Sequence, residues 1–249
     1  MRNIRLTIEY DGKDFNGWQK QPNKLNIQGE IERAIMDITK EDKIDLIASG
    51  RTDAGVHALG QIANFRTNST IPIEKFAMAI NSKVKKSIII KKAEEVDEKF
   101  HSRYSCKQKT YRYVINNSET GSAIYRYLEY HYPIKLDVKK MKKAIKYFEG
   151  EHDFKAFRAS GTGSKTSVRK IYKADVIQDG DRIYIELTGS GFLYNMVRII
   201  AGTLIDVGNG KINVEDIPNI INEGDRKKAG KTLPPHGLFL VKVEYESEN

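Results

Sequence analysis

Asp53 stands in the string Gly50-Arg51-Thr52-Asp53-Ala54-Gly55, which runs on through Val56 to His57. A carboxylate can act as nucleophile or general base when its surroundings fix its direction. Apolar residues on both sides, Ile44, Leu46, Ile47 and Ala48 before it and Ile62, Ala63 and Phe65 after it, predict two strands that would hold the loop and aim Asp53. Asp and Gly are also common turn formers, so a bare Asp-Ala-Gly most often marks only a turn. Arg51 and His57 make the longer string far more specific.

Three other residues could carry chemistry or serve the core. Arg198 lies inside a predicted helix, Phe192 to Val207, whose other residues are nearly all apolar. Burying a guanidinium without a partner costs several kcal/mol in order of magnitude, so a carboxylate should lie near it in space. Asp53 is one candidate; a side chain that reaches water, or a purely architectural ion pair, is the alternative. On a predicted strand from Lys107 to Ile115, the two-residue period puts Tyr111 and Tyr113 on one face, where either ring can be core or a stacking surface.

The elements that must position these groups follow from periodicity. Ile4, Leu6, Ile8 and Tyr10 alternate as a strand, and Asn26 caps a helix with Ile27, Ile31, Ala34, Ile35 and Ile38 on one side. The two strands around Asp53 come next, then a helix opening at Pro72 and a strand from Ser87 to Val96. This β-α-β-β-α-β order fills 1–103. From 104 to 249 a similar order recurs: strands at Lys107–Ile115 and near Tyr127–His131, a helix from Asp137 to Phe148, a hairpin from Thr166–Gln178 to Arg182–Thr188, the Arg198 helix, a short helix near Val214–Ile221 and a strand at Leu238–Tyr245. The expected class is α+β, with two split β-α-β, ferredoxin-like halves forming a mainly antiparallel sheet flanked by helices. Ala159 to Ser167 is rich in Gly, Ser and Thr and reads as a mobile surface loop.

Composition narrows the function. The 249 residues are 39% hydrophobic and 30% charged, ordinary for a globular chain, and no apolar run approaches the roughly 20 residues of a membrane span. The N-terminus carries no signal-peptide pattern, which leads to an expectation of cytoplasmic location. A single Cys106 and five scattered histidines imply no disulfide and no metal site. A formal charge of +9 fits polyanionic partners. Gly161 to Thr166 lacks the glycines of a phosphate-binding P-loop, and Gly189-Ser190-Gly191 has Tyr194 where a dinucleotide motif needs a third glycine. Nucleotide hydrolysis and nicotinamide chemistry are therefore rejected.

The strings IEYDGKDFNGWQKQ, NIQGEIERAI, GRTDAGVHALGQ, KTYRYVI, GEHDFKAFRASG, GFLYNMVRIIAG and HGLFLVKVEY follow one another along essentially the whole chain. In content and order they resemble the tRNA pseudouridine synthase A (TruA) family. The resemblance implies a pseudouridine synthase fold, a homodimer, no cofactor, and isomerisation of uridine to pseudouridine at positions 38, 39 and 40 in the anticodon arm of tRNA. It further implies Asp53 as the essential carboxylate, Arg198 as its partner in the site and Tyr111 as the ring that stacks on the target base. Arg51 and Lys165, both on loops, are the expected RNA contacts; the lysines of the Asp137–Phe148 helix are either a solvated polar face or a further phosphate-contacting surface. One departure from the family pattern is visible: Leu233 stands where Ala is usual before Pro234. The rivals are an RNA-binding protein without catalysis, which Asp53→Asn would distinguish, and an RNA-cleaving hydrolase, for which paired histidines and metal-binding carboxylates are lacking.

Overall fold

A computed structural model of the chain describes residues 1–159, 161 and 166–246. The backbone groups into two compact units, Met1–Lys107 with Phe239–Asn249, and Gln108–Leu238.

The first unit starts with β1 (Arg2–Tyr10), whose Ile4, Leu6, Ile8 and Tyr10 are buried in alternation. Helix α1 (Ile27–Thr39) begins where the Asn26 side chain accepts a hydrogen bond from the Gly29 N–H, 2.8 Å away, and ends at Lys40 in the left-handed conformation. Its Ile27, Ile31, Ala34 and Ile35 face inward. Burying each isoleucine contributes about 1.5–3 kcal/mol, so this face rather than helix propensity holds α1 in place. Strands β2 (Ile47–Ala48) and β3 (His57–Thr67) flank the Asp53 loop; α2 (Ile73–Asn81) then packs on β4 (Ile88–Val96). Both β3 and β4 run antiparallel to β1, and β2 pairs with the far edge of β3 at Asn64 and Ala63. Strand order β4-β1-β3-β2 follows, as the split β-α-β expectation requires.

The final strand, β10 (Leu238–Tyr245), lies with this unit although the sequence groups it with the second half. Phe239 and Leu240 pair in parallel with His57 and Ala58, on the stretch of the β3 edge that β2 leaves open. Gly60 permits the approach, because a Cβ there would come within 2.7 Å of the Val241 carbonyl oxygen. Alternation predicts a strand but not its neighbour, so the boundaries expected at 103 and 104 differ from those of the compact units.

In the second unit β5 (Cys106–Asn116), β9 (Arg182–Gly189), β8 (Val168–Asp179) and β7 (Gly150–Asp153) pair antiparallel in that order, and β6 (Tyr130–His131) pairs in parallel with the end of β5. Helices α3 (Val138–Ile145) and α4 (Met196–Gly208) pack on each other, α3 also on β8, and α5 (Ile217–Glu223) follows. Strand β7 was not expected, since Gly-Glu-His-Asp has no apolar alternation. Helix α4 starts four residues later than periodicity suggests, because Asn195 takes a left-handed φ of 61° that a continuous helix excludes. Among the described residues no helix is long and apolar enough to cross a membrane.

Candidate functional site

The Asp53 loop is braced from behind. The Trp18 N–H donates to the Thr52 carbonyl at 3.0 Å, and the hydroxyls of Tyr10 and Thr52 are 2.7 Å apart. Burial pushes the Tyr10 phenol far above its usual range, against the effect of its hydrogen bonds to Thr52 and Gln61, so it stays protonated. On the strand side the Gln61 amide donates to the Gly50 carbonyl at 3.0 Å, while its Oε1 accepts from the Ser49 hydroxyl at 2.7 Å. The loop closes on itself through the Val56 N–H and the Asp53 carbonyl, 3.1 Å apart, with Gly55 at φ 76°. Thr52 is 6% exposed, Asp53 half-buried and Arg51 exposed. The backbone carrying Asp53 is thus fixed from both sides, which is what a carboxylate used for chemistry needs.

Gly17 and Gly12 make this bracing possible. Gly17 has φ 87°, and a Cβ on it would stand 2.7 Å from the Thr52 carbonyl oxygen. A Cβ on Gly12 would come within 2.0 Å of the Val56 oxygen, and the Gly12 N–H donates to Nδ1 of the buried His57 at 3.1 Å. The His57 ring stacks on Phe239 with centroids 4.8 Å apart. Sequence reasoning passed over Gly12, Gly17, Trp18 and Gln61 individually. Their signal was present in the Asp-Gly and Asn-Gly-Trp of the first string and the final Gln of GRTDAGVHALGQ.

Arg198 and Tyr111 belong to the second unit. The Arg198 Nε–H donates to the Leu233 carbonyl and Nη1 donates to Asn195 Oδ1, both at 2.6 Å. These charge-assisted bonds set the direction of the guanidinium. The Leu233 N–H returns a bond to the Arg198 carbonyl at 3.3 Å, so residues before Leu233 lie flat along α4. Gly202 and Gly230 allow that contact: a Cβ on Gly202 would meet the Lys231 oxygen at 2.0 Å, and one on Gly230 the Thr203 nitrogen at 2.4 Å. Leu233 itself is fully buried.

Tyr111 is 9% exposed and meets Phe192 edge-to-face at 5.0 Å between centroids. Tyr113 is fully buried and its hydroxyl donates to the Pro234 carbonyl at 2.8 Å. Burial raises the Tyr113 phenol well beyond its usual range, although the Arg198 charge opposes this, so Tyr113 is a structural clamp. The same segment, Leu233 and Pro234, therefore fixes both Arg198 and the strand that carries Tyr111.

Lys165 lies outside the described residues, as does most of the Gly-Ser-Thr loop around it. Of the α3 lysines, Lys139, Lys140, Lys142 and Lys143 are exposed, but the ammonium of Lys146, one residue past α3, is held at 2.8 Å by Asp175 and at 2.9 Å by Glu149. Lys146 thus serves the fold rather than an open basic surface.

The chain is similar over nearly its full length to curated bacterial proteins. It is 54% identical to tRNA pseudouridine synthase A of Caldicellulosiruptor bescii, over 98% of this chain and 100% of that protein. It is 53% identical to tRNA pseudouridine synthase A of Acetivibrio thermocellus and 52% identical to tRNA pseudouridine synthase A 2 of Clostridium perfringens, with the same coverage. The family model for tRNA pseudouridine synthase matches residues 6–105 and 144–246, stretches that include the Asp53 loop and the whole of α4 and β10. On that match and those identities, the chain belongs to the tRNA pseudouridine synthase family.

Proposed function

We propose that this protein isomerises uridine to pseudouridine at positions 38, 39 and 40 in the anticodon arm of tRNA, with Asp53 as the essential carboxylate. The observation that supports the reading is the Gly50–Gly55 loop, whose carboxylate Asp53 lies on backbone held by Trp18 on one side and Gln61 on the other. The reaction cleaves the N1–C1′ bond, turns the base, joins C5 to C1′ and removes the C5 proton. Every heavy atom of the product comes from the substrate, and the proton lost from C5 is balanced by one gained at the ring nitrogen freed from C1′, so a positioned carboxylate and groups that pass these protons are what the protein must supply. An ionised Asp53 either attacks covalently or takes a proton from the sugar.

In this reading Arg198, its direction set by Leu233 and Asn195, keeps the carboxylate ionised and oriented. Tyr111 stacks on the target base and assists removal of the C5 proton. The uridine must first leave its stack, at a cost of a few kcal/mol. Arg51, exposed beside Asp53, and Lys165 contact the RNA and offset that cost. The working form is a cytoplasmic homodimer, and the reaction uses no cofactor.

Tritium release from unmodified tRNA labelled at uridine C5 tests the reading. The parent protein is expected to release tritium and Asp53→Asn to release none while still binding tRNA. Binding by the parent without release would leave only an RNA-binding role.

A further inference from the structure

We propose that His57 is a positioning residue for the isomerisation, acting on Asp53 through Gly12 and Val56; the inference rests on the reading above, in which Asp53 is the essential carboxylate. His57 opens β3 and is 1% exposed, so its imidazole is shut off from solvent. A ring nitrogen in such a place needs a partner. Nδ1 has two within reach: the Gly12 nitrogen at 3.1 Å and Oδ1 of Asp11 at 3.0 Å.

The two contacts complement each other. Without a proton on Nδ1 its lone pair accepts from the Gly12 N–H; with one, Nδ1 donates to the Asp11 carboxylate. Both forms of the ring therefore hold the same dipeptide. Asp11 is anchored in turn, its N–H donating to the Ser87 carbonyl at 3.0 Å and its Oδ1 accepting from the Lys13 N–H at 3.0 Å. Phe239, which pairs with His57 from β10, stacks on the imidazole with 24° between the planes, so the tilt of the ring is set as well.

The path from the ring to Asp53 is short and made of backbone. A Cβ on Gly12 would fall 2.0 Å from the Val56 oxygen and 2.7 Å from its carbonyl carbon, so these two main chains lie directly against each other. The Val56 N–H, in turn, closes the turn onto the Asp53 carbonyl at 3.1 Å. If Nδ1 is removed, the buried Gly12 N–H loses its acceptor, and finding another means drawing Gly12 away from Val56. The end of the Asp53 turn then has nothing to rest on. Packing alone makes a different demand: a phenylalanine ring would fill the place and stack on Phe239 as well as an imidazole does. The nitrogen is what separates the two roles.

The test is steady-state tritium release, well below each melting temperature, for the parent, His57→Phe and His57→Asn. Phenylalanine keeps the ring and loses Nδ1; asparagine loses the ring but carries its acceptor Oδ1 on Cγ, as histidine carries Nδ1. His57→Phe is expected to lower kcat about tenfold, the effect of misplacing a reacting group by a fraction of an ångström, with KM for tRNA within about twofold of the parent. His57→Asn should keep kcat within about threefold of the parent, so that turnover follows the acceptor whatever the order of the melting temperatures. A parental kcat in His57→Phe would overturn the inference, and so would a loss confined to KM or a folded His57→Asn no more active than His57→Phe. Should His57→Asn not fold, His57→Phe decides alone. A parent that releases no tritium would sink the isomerase reading and this inference with it, whereas a fully active His57→Phe sinks the inference only.

Discussion

Replacing Gly17 by Ala should disable the enzyme more than it unfolds it. The new Cβ would stand 2.7 Å from the Thr52 oxygen and 3.1 Å from both the Asp53 carbonyl carbon and the Ala54 nitrogen. All three are backbone atoms, so no rotamer change gives relief. Restoring an ordinary 3.4 Å separation means moving the loop by about 0.7 Å. The positive φ costs an alanine about 1–2 kcal/mol, and a weakened Trp18–Thr52 hydrogen bond adds about 1 kcal/mol. A total near 2–3 kcal/mol lowers the melting temperature by roughly 5–10 °C for a chain of this size. The catalytic cost is larger in proportion, because misplacing a reacting group by ~1 Å costs on the order of 100-fold, which puts kcat down about 10- to 100-fold. Gly180→Ala is the control: its φ of 56° also puts an alanine in the left-handed region, but nothing lies within 4 Å of its Cβ. The assay is tritium release at saturating tRNA beside thermal melting for both variants. Parental turnover in Gly17→Ala, or equal activity losses in the two variants, would refute the idea that this contact aims Asp53.

Two further outcomes are expected. Tyr113→Phe removes the donor to the Pro234 carbonyl in a fully buried place, so it should cost about 1–3 kcal/mol of stability and reduce kcat by loosening the segment that holds Arg198; calorimetry with turnover checks it, and a parental melting temperature would count against the clamp. Lys146, 2.8 Å away, holds the Asp175 carboxyl below its usual range against the opposing effect of burial, and Lys173 helps. A depressed carboxylate stabilises the fold above its unfolded pKa of about 4 and loses that contribution as pH falls through the folded value. Asp175→Asn should therefore melt below the parent at pH 7, with the difference narrowing as pH falls below the unfolded value of about 4; a gap that does not narrow on acidification would show that charge is not the cause.

Most elements were legible because apolar spacing decides them. The β1 alternation, the Asn26 cap and the inward face of α1 needed only local chemistry, and all three stand as read. What escaped was non-local or polar. Strand β7 exists because β8 offers it an edge, with Gly150 to Asp153 pairing opposite Val168 to Ile171. The place of β10 depends on which stretch of β3 remains open, and no property of Leu238–Tyr245 encodes that. Lys146 reads as one more lysine of a polar face until the fold brings Asp175 against it from β8.

Leu233 shows why part of the site could not be read from side-chain types. The sequence marks it as a departure, a bulkier residue where Ala is usual, and its side chain is indeed fully buried. Yet its contribution to the site is its main chain: the carbonyl accepts from Arg198 Nε and the N–H donates to the Arg198 oxygen. Pro234 holds Tyr113 in the same way, through a carbonyl. Backbone acceptors leave no signature at their own positions, since every residue has one. Their trace lies in what must let the chain come close, the glycines at 202, 230 and 237; a Cβ on the last would stand 2.8 Å from the Tyr113 ring. Reading an orienting backbone from sequence therefore means looking for the small residues that admit it, while the residue that supplies the contact is free to change size, as it has here.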